Sequence, residues 1–247
     1  MIVSGFHPVR EVLERRPRSV EALLVQRGRK DARAAEIEEL ARGAGVPVRL
    51  VAKEELDRFA GRAHNGVAAR VAEREYDDVE ECLAGPKGGR CVLFLDEVTD
   101  PGNLGSVLRT AAAAGASVVL TERHSAGLNE TVSKASAGAL ERVKVGRVVN
   151  AARFLEQAKA AGFWIYGAAM DGESLWKVDI SGDSVLCLGS EGAGLRRLTR
   201  ETCDRLVSIP MNPGAGSLNV SVAAGVLLYE WVRRKTGPGP GSGMKMA

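Results

Sequence analysis

CVLFLDEVTDPGNLGSVLRTAAAAGASVVLTE, residues 91–122, decides the fold. Cys91–Leu95 is a continuous apolar run ending at Asp96, as expected of a central strand covered on both faces. A loop of turn residues follows, then a helical stretch from Ser106 that Gly115 stops, then a second apolar run over Ser117–Glu122. Strand, helix and strand in this span make a βαβ unit. The alternation continues with a helix near Glu130–Ala137, a strand-like stretch after Glu141, a helix from Ala151 to Gly162 and a strand from Phe163. Strands at Ser184–Gly189 and Leu206–Pro210 and a long helix over Leu218–Lys235 complete it. Residues 91–235 are therefore read as α/β, with a mostly parallel, doubly wound sheet.

Working outward, residues 1–75 read as a separate small α/β module. A helix capped at Ser4 puts Val9, Val12 and Leu13 on one face, and a second helix from Asp31 does so with Ala34, Ile37, Leu40 and Ala41. Strands are expected at Ala22–Gly28, Val46–Val51 and Gly66–Glu73, with a short helix over Lys53–Gly61. The polar stretch 76–90 ends in a Pro/Gly cluster and reads as a linker, and the Gly/Pro-rich tail 236–247 as disordered.

With 45% hydrophobic and 26% charged residues, the chain can bury an ordinary core. A net charge of +3 does not by itself demand a nucleic-acid partner. Cys82, Cys91, Cys187 and Cys203 are scattered, without metal-ligand spacing, and read as buried thiols in a reducing cytoplasm. The amino terminus lacks the apolar core of a signal peptide, and no apolar run approaches the ~20 residues of a membrane span.

Three Gly/Asn-rich loops follow strands of the larger region, where an α/β sheet keeps its ligands. In the first, Pro101, Gly102, Asn103 and Gly105 form a tight turn into a helix. Asn103 reads as a cap or as a functional amide; Arg109, among small and apolar neighbours, reads as solvent-facing or as a phosphate or carboxylate clamp. The second, Gly189-Ser-Glu-Gly-Ala-Gly-Leu195, superficially has a dinucleotide-binding look. That fingerprint belongs to a first βα unit with an acid about 20 residues on, so NAD is set aside. Its glycines let backbone approach a ligand, and Glu191 is a surface turn residue or an acceptor for a cationic or amine-bearing ligand. The third, from Met211, continues into a helix of very small residues, where Ser217 and Asn219 are capping types. No histidine, cysteine or paired carboxylate in these loops suggests nucleophilic or metal catalysis.

Together, the loops resemble the SpoU-type (TrmH-like) branch of the SPOUT RNA methyltransferases. Asn103-Leu-Gly-Ser-Val-Leu-Arg109 is similar to the first motif of that family, Leu188–Leu195 to the second, and Ile209–Val226, with its run Ser217-Leu-Asn-Val-Ser221, to the third. The amino-terminal module, with its stretches Ser4–Leu13 and Ala63–Val71, looks like the ribosomal-protein-like RNA-binding domain that precedes the catalytic domain in bacterial 23S rRNA guanosine 2′-O-methyltransferases. The resemblance implies a deep trefoil knot near Ile209–Leu218, a pocket for S-adenosylmethionine and a homodimer with its active site at the subunit interface. It implies methyl transfer to a ribose 2′-hydroxyl of RNA, most readily a guanosine of 23S rRNA, with tRNA, an adenosine target or non-catalytic RNA binding as alternatives. Arg109, Asn103, Glu191, Ser217 and Asn219 become the catalytic candidates, and Gly189, Gly192, Ile209, Met211 and Leu218 the cofactor-binding ones. Arg15, Arg16, Arg18, Arg29 and Lys30 become RNA contacts, although nearby Glu36, Glu38 and Glu39 also allow a merely solvated surface.

Overall fold

The computed structural model describes residues 1–29, 31–212, 214 and 216–237. Lys30, Pro213, Ala215 and residues 238–247 of the expected tail lie outside the described residues. The chain clusters into two units, one of residues 1–75 with 100–109 and 126–143, the other of 76–99, 110–125 and 144–247.

The first unit holds β1 (Ile2–Ser4), α1 (Phe6–Arg15), β2 (Val20–Gln26), α2 (Ala32–Gly43), β3 (Val48–Val51), α3 (Lys53–Ala60) and β4 (Val67–Val71). The sheet order is β1-β4-β2-β3; β4 runs antiparallel to both neighbours and β2 parallel to β3. Alternation along the strands divides the core. Leu23 and Val25 of β2 join Val67, Ala69 and Val71 of β4 in a cluster with Val9, Val12, Leu13, Ile37 and Ala41 of α1 and α2. Leu24 and Ala68 join Leu56 of α3 in another. The start of α1 differs from expectation: Ser4 closes β1, and Gly5, at φ 95°, turns the corner as N-cap without a side-chain bond. A side-chain oxygen cannot make that left-handed corner, whereas a missing Cβ can. Asp31 does cap α2, accepting from the Ala34 amide at 3.0 Å. Buried His64 accepts from the Gly66 amide and meets Asp57 Oδ1 at 2.8 Å, fixing the loop before β4.

The chain continues through α4 (Val79–Leu83), β5 (Cys91–Asp96), α5 (Pro101–Ala114), β6 (Ser117–Thr121), α6 (Glu130–Ala135), β7 (Val145–Val148) and α7 (Ala151–Ala160). It ends with β8 (Trp164–Ser174), β9 (Ser184–Gly189), α8 (Arg197–Thr202), β10 (Arg205–Ser208) and α9 (Val220–Thr236). Residues 100–109 of α5 and its approach, and all of α6, cluster with the first unit. There a Cβ added to Gly105 would fall on Ala135 Cβ and 3.0 Å from the Val132 carbonyl oxygen.

In the second unit six strands, all parallel, lie in the order β10-β8-β9-β5-β6-β7. Phe94, Val119, Ile165 and Val185 on one face pack with Phe154, Leu155 and Ala158 of α7. Stretch 76–90, expected as a linker, carries α4, whose Cys82 and Leu83 enter this same core. Asp77 adds a parallel bridge to Gly146. Polar composition hid a short amphipathic turn there. The stretch after Glu141 differs too: a 3₁₀ turn, Ala139–Glu141, precedes β7.

Candidate functional site

Sheet order places β5 and β9 side by side, where the chain, having run β5-β6-β7 outward, returns on the other side. Ligands of open α/β sheets bind outside the carboxyl ends of strands at such a switch point. In the second unit the middle of β8 and the carboxyl ends of β9 and β10 surround a cavity of about 560 Å³, within the range of small-molecule sites. Its walls are backbone, small residues and apolar side chains such as Leu188, Val207, Ile209 and Leu218. Among the described lining residues Glu191 alone carries a charge.

Loop chemistry explains how β9 delivers this wall. Gly192 and Gly194 take φ 88° and 69°, and the Gly194 amide returns to the Ser190 carbonyl at 2.9 Å. The loop thus curls back on its own strand, and a Cβ on Gly189 would fall on the Gly194 carbonyl. The curl turns Glu191 toward α9. Its Oε1 accepts from Asn219 Nδ2 at 2.9 Å and lies 3.5 Å from the Val220 amide. Asn219 caps α9, its Oδ1 accepting from Ser221 N and Ser221 Oγ at 2.9 and 2.6 Å. A carboxylate and an amide oxygen at the start of a helix satisfy orphan N–H groups and suit its dipole.

The five cofactor-binding candidates, Gly189, Gly192, Ile209, Met211 and Leu218, all border the cavity, as do Glu191 and Ser217. Asn219 touches it through Glu191. Asn103 and Arg109 lie on α5, in the portion that clusters with the first unit. Helix α5 begins at Pro101, not at Ser106, so Asn103 is a helical residue; its amide donates to Asp100 Oδ1 at 2.6 Å. Proline at the first helical position is pre-set for this, and an aspartate before it is a cap that the sequence reading passed over. Arg109 is exposed and has no hydrogen bond or ion pair among the described residues.

Of the arginines in the first unit, Arg16 is committed to Glu141, with Nε–Oε2 at 2.6 Å and the carboxylate 2% exposed. Arg29 ties Asp31 to the Asn65 carbonyl, and Arg15 pairs with Glu11 at 3.1 Å. Arg18 is exposed. Sequence reasoning missed the β8 wall, Ala168–Met170, because β8 runs on to Ser174 past its apolar start. It also missed Asp96, buried at the end of β5 and ion-paired to Arg196 at 2.7 Å.

Fold and site define an α/β protein with a ligand cavity at the carboxyl edge of a parallel sheet. The chain belongs to the SpoU rRNA Methylase family: the profile of that family matches residues 90–229, and a profile described as RNA 2′-O ribose methyltransferase substrate binding matches residues 2–77. The chain is 46% identical to the 23S rRNA (guanosine-2′-O-)-methyltransferase RlmB of Xanthomonas campestris pv. campestris, over 95% of this chain and 97% of that one. The SpoU methyltransferase AviRb of Streptomyces viridochromogenes, solved with AdoMet, superposes with a TM-score of 0.79 at 30% identity, over 95% of this chain and 89% of that one. An AdoMet-bound rRNA methyltransferase from Sinorhizobium meliloti does so at 0.79 and 26% identity, over 94% and 86%.

Proposed function

We propose that this protein transfers a methyl group from S-adenosylmethionine to the ribose 2′-hydroxyl of a guanosine in 23S rRNA. The observation that carries the reading is the cavity: glycine-built backbone and apolar walls with one carboxylate, in a chain whose relatives bear that activity in their names. Such walls suit a nucleoside that also carries positive charge, as S-adenosylmethionine does. Gly189, Gly192, Ile209, Met211 and Leu218 would hold it, with Glu191 beside its cationic portion. When bound, it supplies a methyl group on a sulfonium, already a good electrophile.

The protein must then deal with the ribose hydroxyl, a poor nucleophile at neutral pH. We assign Arg109 to stabilising the developing oxyanion and holding an adjacent phosphate, because a guanidinium stays protonated and does not serve as base. Asn103, Ser217 and Asn219 would orient the ribose and Arg109, with Asn219 also steadying Glu191. Arg15 and Arg18 are the better RNA contacts of the first unit; the near-buried bond of Arg16 to Glu141 gives it a tethering role. We further infer a homodimer, a knotted crossing near Ile209–Leu218 and a place in the cytoplasm, where rRNA is made. Among the described residues no helix is long and apolar enough to cross a membrane.

The test is methyl transfer from tritiated S-adenosylmethionine to unmodified 23S rRNA and, separately, to bulk tRNA, with the labelled nucleotide mapped. Label on a single 23S guanosine ribose is expected. Label on tRNA alone would overturn the substrate and keep the chemistry; calorimetric binding without label on either RNA would overturn free rRNA as the substrate and point to a ribosomal particle or to a binding role without catalysis.

A further inference from the structure

We propose that Asp96 is a positioning residue for the ligand cavity, acting through Arg196 as a latch on the loop between Gly189 and Arg196. The inference deepens the proposed function and rests on it for the identity of the ligand.

Asp96 ends β5 and pairs in register with Gly189, the last residue of β9 and part of the cavity wall. Its side chain is fully buried, and a buried carboxylate persists only with partners that satisfy it. Those partners come from Arg196, a hundred positions on. The Arg196 amide donates to Oδ2 at 3.2 Å, and Nε and Nη2 approach Oδ1 at 2.7 Å each. The loop is therefore fixed at both ends on one point of β5: at Gly189 by sheet pairing, at Arg196 by the carboxylate.

A second contact fixes the direction of the guanidinium. Its Nη1 meets Glu97 Oε1 at 3.2 Å. Glu97 is held at φ 62°, and its amide donates to Thr121 Oγ1 at 3.0 Å. An exposed loop would need none of this. Between the two anchors sits Glu191, whose carboxylate must reach both the cavity and Asn219. Six residues pinned at both ends keep that carboxylate in place before a ligand arrives, which is preorganisation in the ordinary sense. Arginine suits the task because two of its nitrogens converge on Oδ1 while the third is left for Glu97.

The variants are Arg196→Gln and Arg196→Lys, at a half-exposed side chain, with Asp96→Asn as the complementary change. Hydrogen exchange of the peptide spanning 189–196 is measured in the ligand-free protein, and S-adenosylmethionine binding is measured by calorimetry. Expected for Arg196→Gln is exchange faster by about tenfold or more over that peptide. Kd and KM for S-adenosylmethionine should rise by about tenfold while kcat at saturation changes little, the pattern of lost uniform binding. Arg196→Lys should recover part of the affinity, since an ammonium still reaches Asp96. Unchanged exchange would overturn the latch. Faster exchange with unchanged Kd, or a fall in melting temperature and kcat at constant KM, would reduce it to a structural bond and overturn the positioning role. If the wild-type protein binds no S-adenosylmethionine, the proposed function falls instead, and the exchange measurement still decides whether Asp96 holds the loop.

Discussion

Arg109 sits more than two turns into α5, exposed, with no hydrogen bond or ion pair among the described residues. A long cation kept without an internal partner contributes little to stability, so its removal separates function from folding. Arg109→Ala should melt within about 0.5 kcal/mol of wild type, as surface substitutions do. Methyl transfer should fall at least ~100-fold, the scale of one lost oxyanion donor, with S-adenosylmethionine affinity unchanged by calorimetry. Near-normal turnover would remove Arg109 from the chemistry. Glu191 offers the contrast: its carboxylate already has structural work at the start of α9, so its loss mixes binding with folding. Arg109 stands out in the sequence because it breaks the small and apolar pattern of its own helix. A glutamate on a glycine loop does not, since either reading fits its composition and only the bond to Asn219 decides where it points.

Elements were legible where one force dominated. Cys91–Asp96 and Ser184–Gly189 are strands at the bounds their apolar runs indicate, because burial on both faces favours an unbroken apolar run. The reading slipped where local chemistry mattered: at Pro101, where a proline taken for a turn begins α5, and at 76–90, where polar composition concealed α4. Nothing in the sequence could pair Asp96 with Arg196 or Asp183 with Arg90, which meet only once the sheet is ordered. At the amino ends of the central strands β5 and β9, Asp183 accepts from the Gly88, Gly89 and Arg90 amides at 2.8–3.0 Å and from Arg90 Nη2 at 2.7 Å. Burial alone would raise its pKa, but Arg90 and the three amides outweigh it and hold the carboxyl well below the usual range. A carboxyl depressed in the folded state stabilises fully above its unfolded value, about 3.9, and loses that contribution as pH falls below it. Asp183→Asn should thus cost about 3 kcal/mol at neutral pH. Between pH 7 and 3 its urea midpoint should fall less than that of wild type; equal falls would deny Asp183 this part. The glycine loop makes a sharper case. Gly189→Ala puts a methyl on the Gly194 carbonyl and must displace the loop, whereas an added Cβ at Gly192 meets nothing within 4 Å. Gly192→Ala should cost stability by about 1 kcal/mol for its left-handed backbone. Gly189→Ala should instead weaken S-adenosylmethionine binding by more than about tenfold, since the cavity wall itself moves. Equal affinities by calorimetry would show that the curl is dispensable.

For the whole molecule the proposed homodimer makes a demand on α9. Helix α9 buries Ala223, Ala224, Leu227, Leu228 and Trp231, a complete core stripe, yet Val222 and Tyr229 on its other side are 51% and 46% exposed, with Leu218 one turn before them. An exposed apolar pair on the far side of a core helix is a face that the proposed homodimer would cover. The inner stripe belongs to β9 and its neighbours, and the outer one fits a second copy of this chain, as the family resemblance implies. Val222→Glu with Tyr229→Glu should convert a particle of twice the 26.2 kDa chain mass into one of a single chain by light scattering; a persistent dimer would place the interface elsewhere. A shared active site makes a stricter prediction. Suppose Arg109 of one subunit serves the cavity of the other. Then a heterodimer of Arg109→Ala with Gly189→Ala holds one site with both defects and one with neither. Random pairing gives half heterodimers, each with one intact site of two, so at S-adenosylmethionine too dilute to fill the Gly189→Ala cavity the co-refolded pair should show about a quarter of wild-type activity. If Arg109 serves the cavity of its own chain, both sites of every heterodimer stay defective and mixing restores nothing. Activity after co-refolding therefore tells which chain supplies the arginine, independently of how tightly either variant binds RNA.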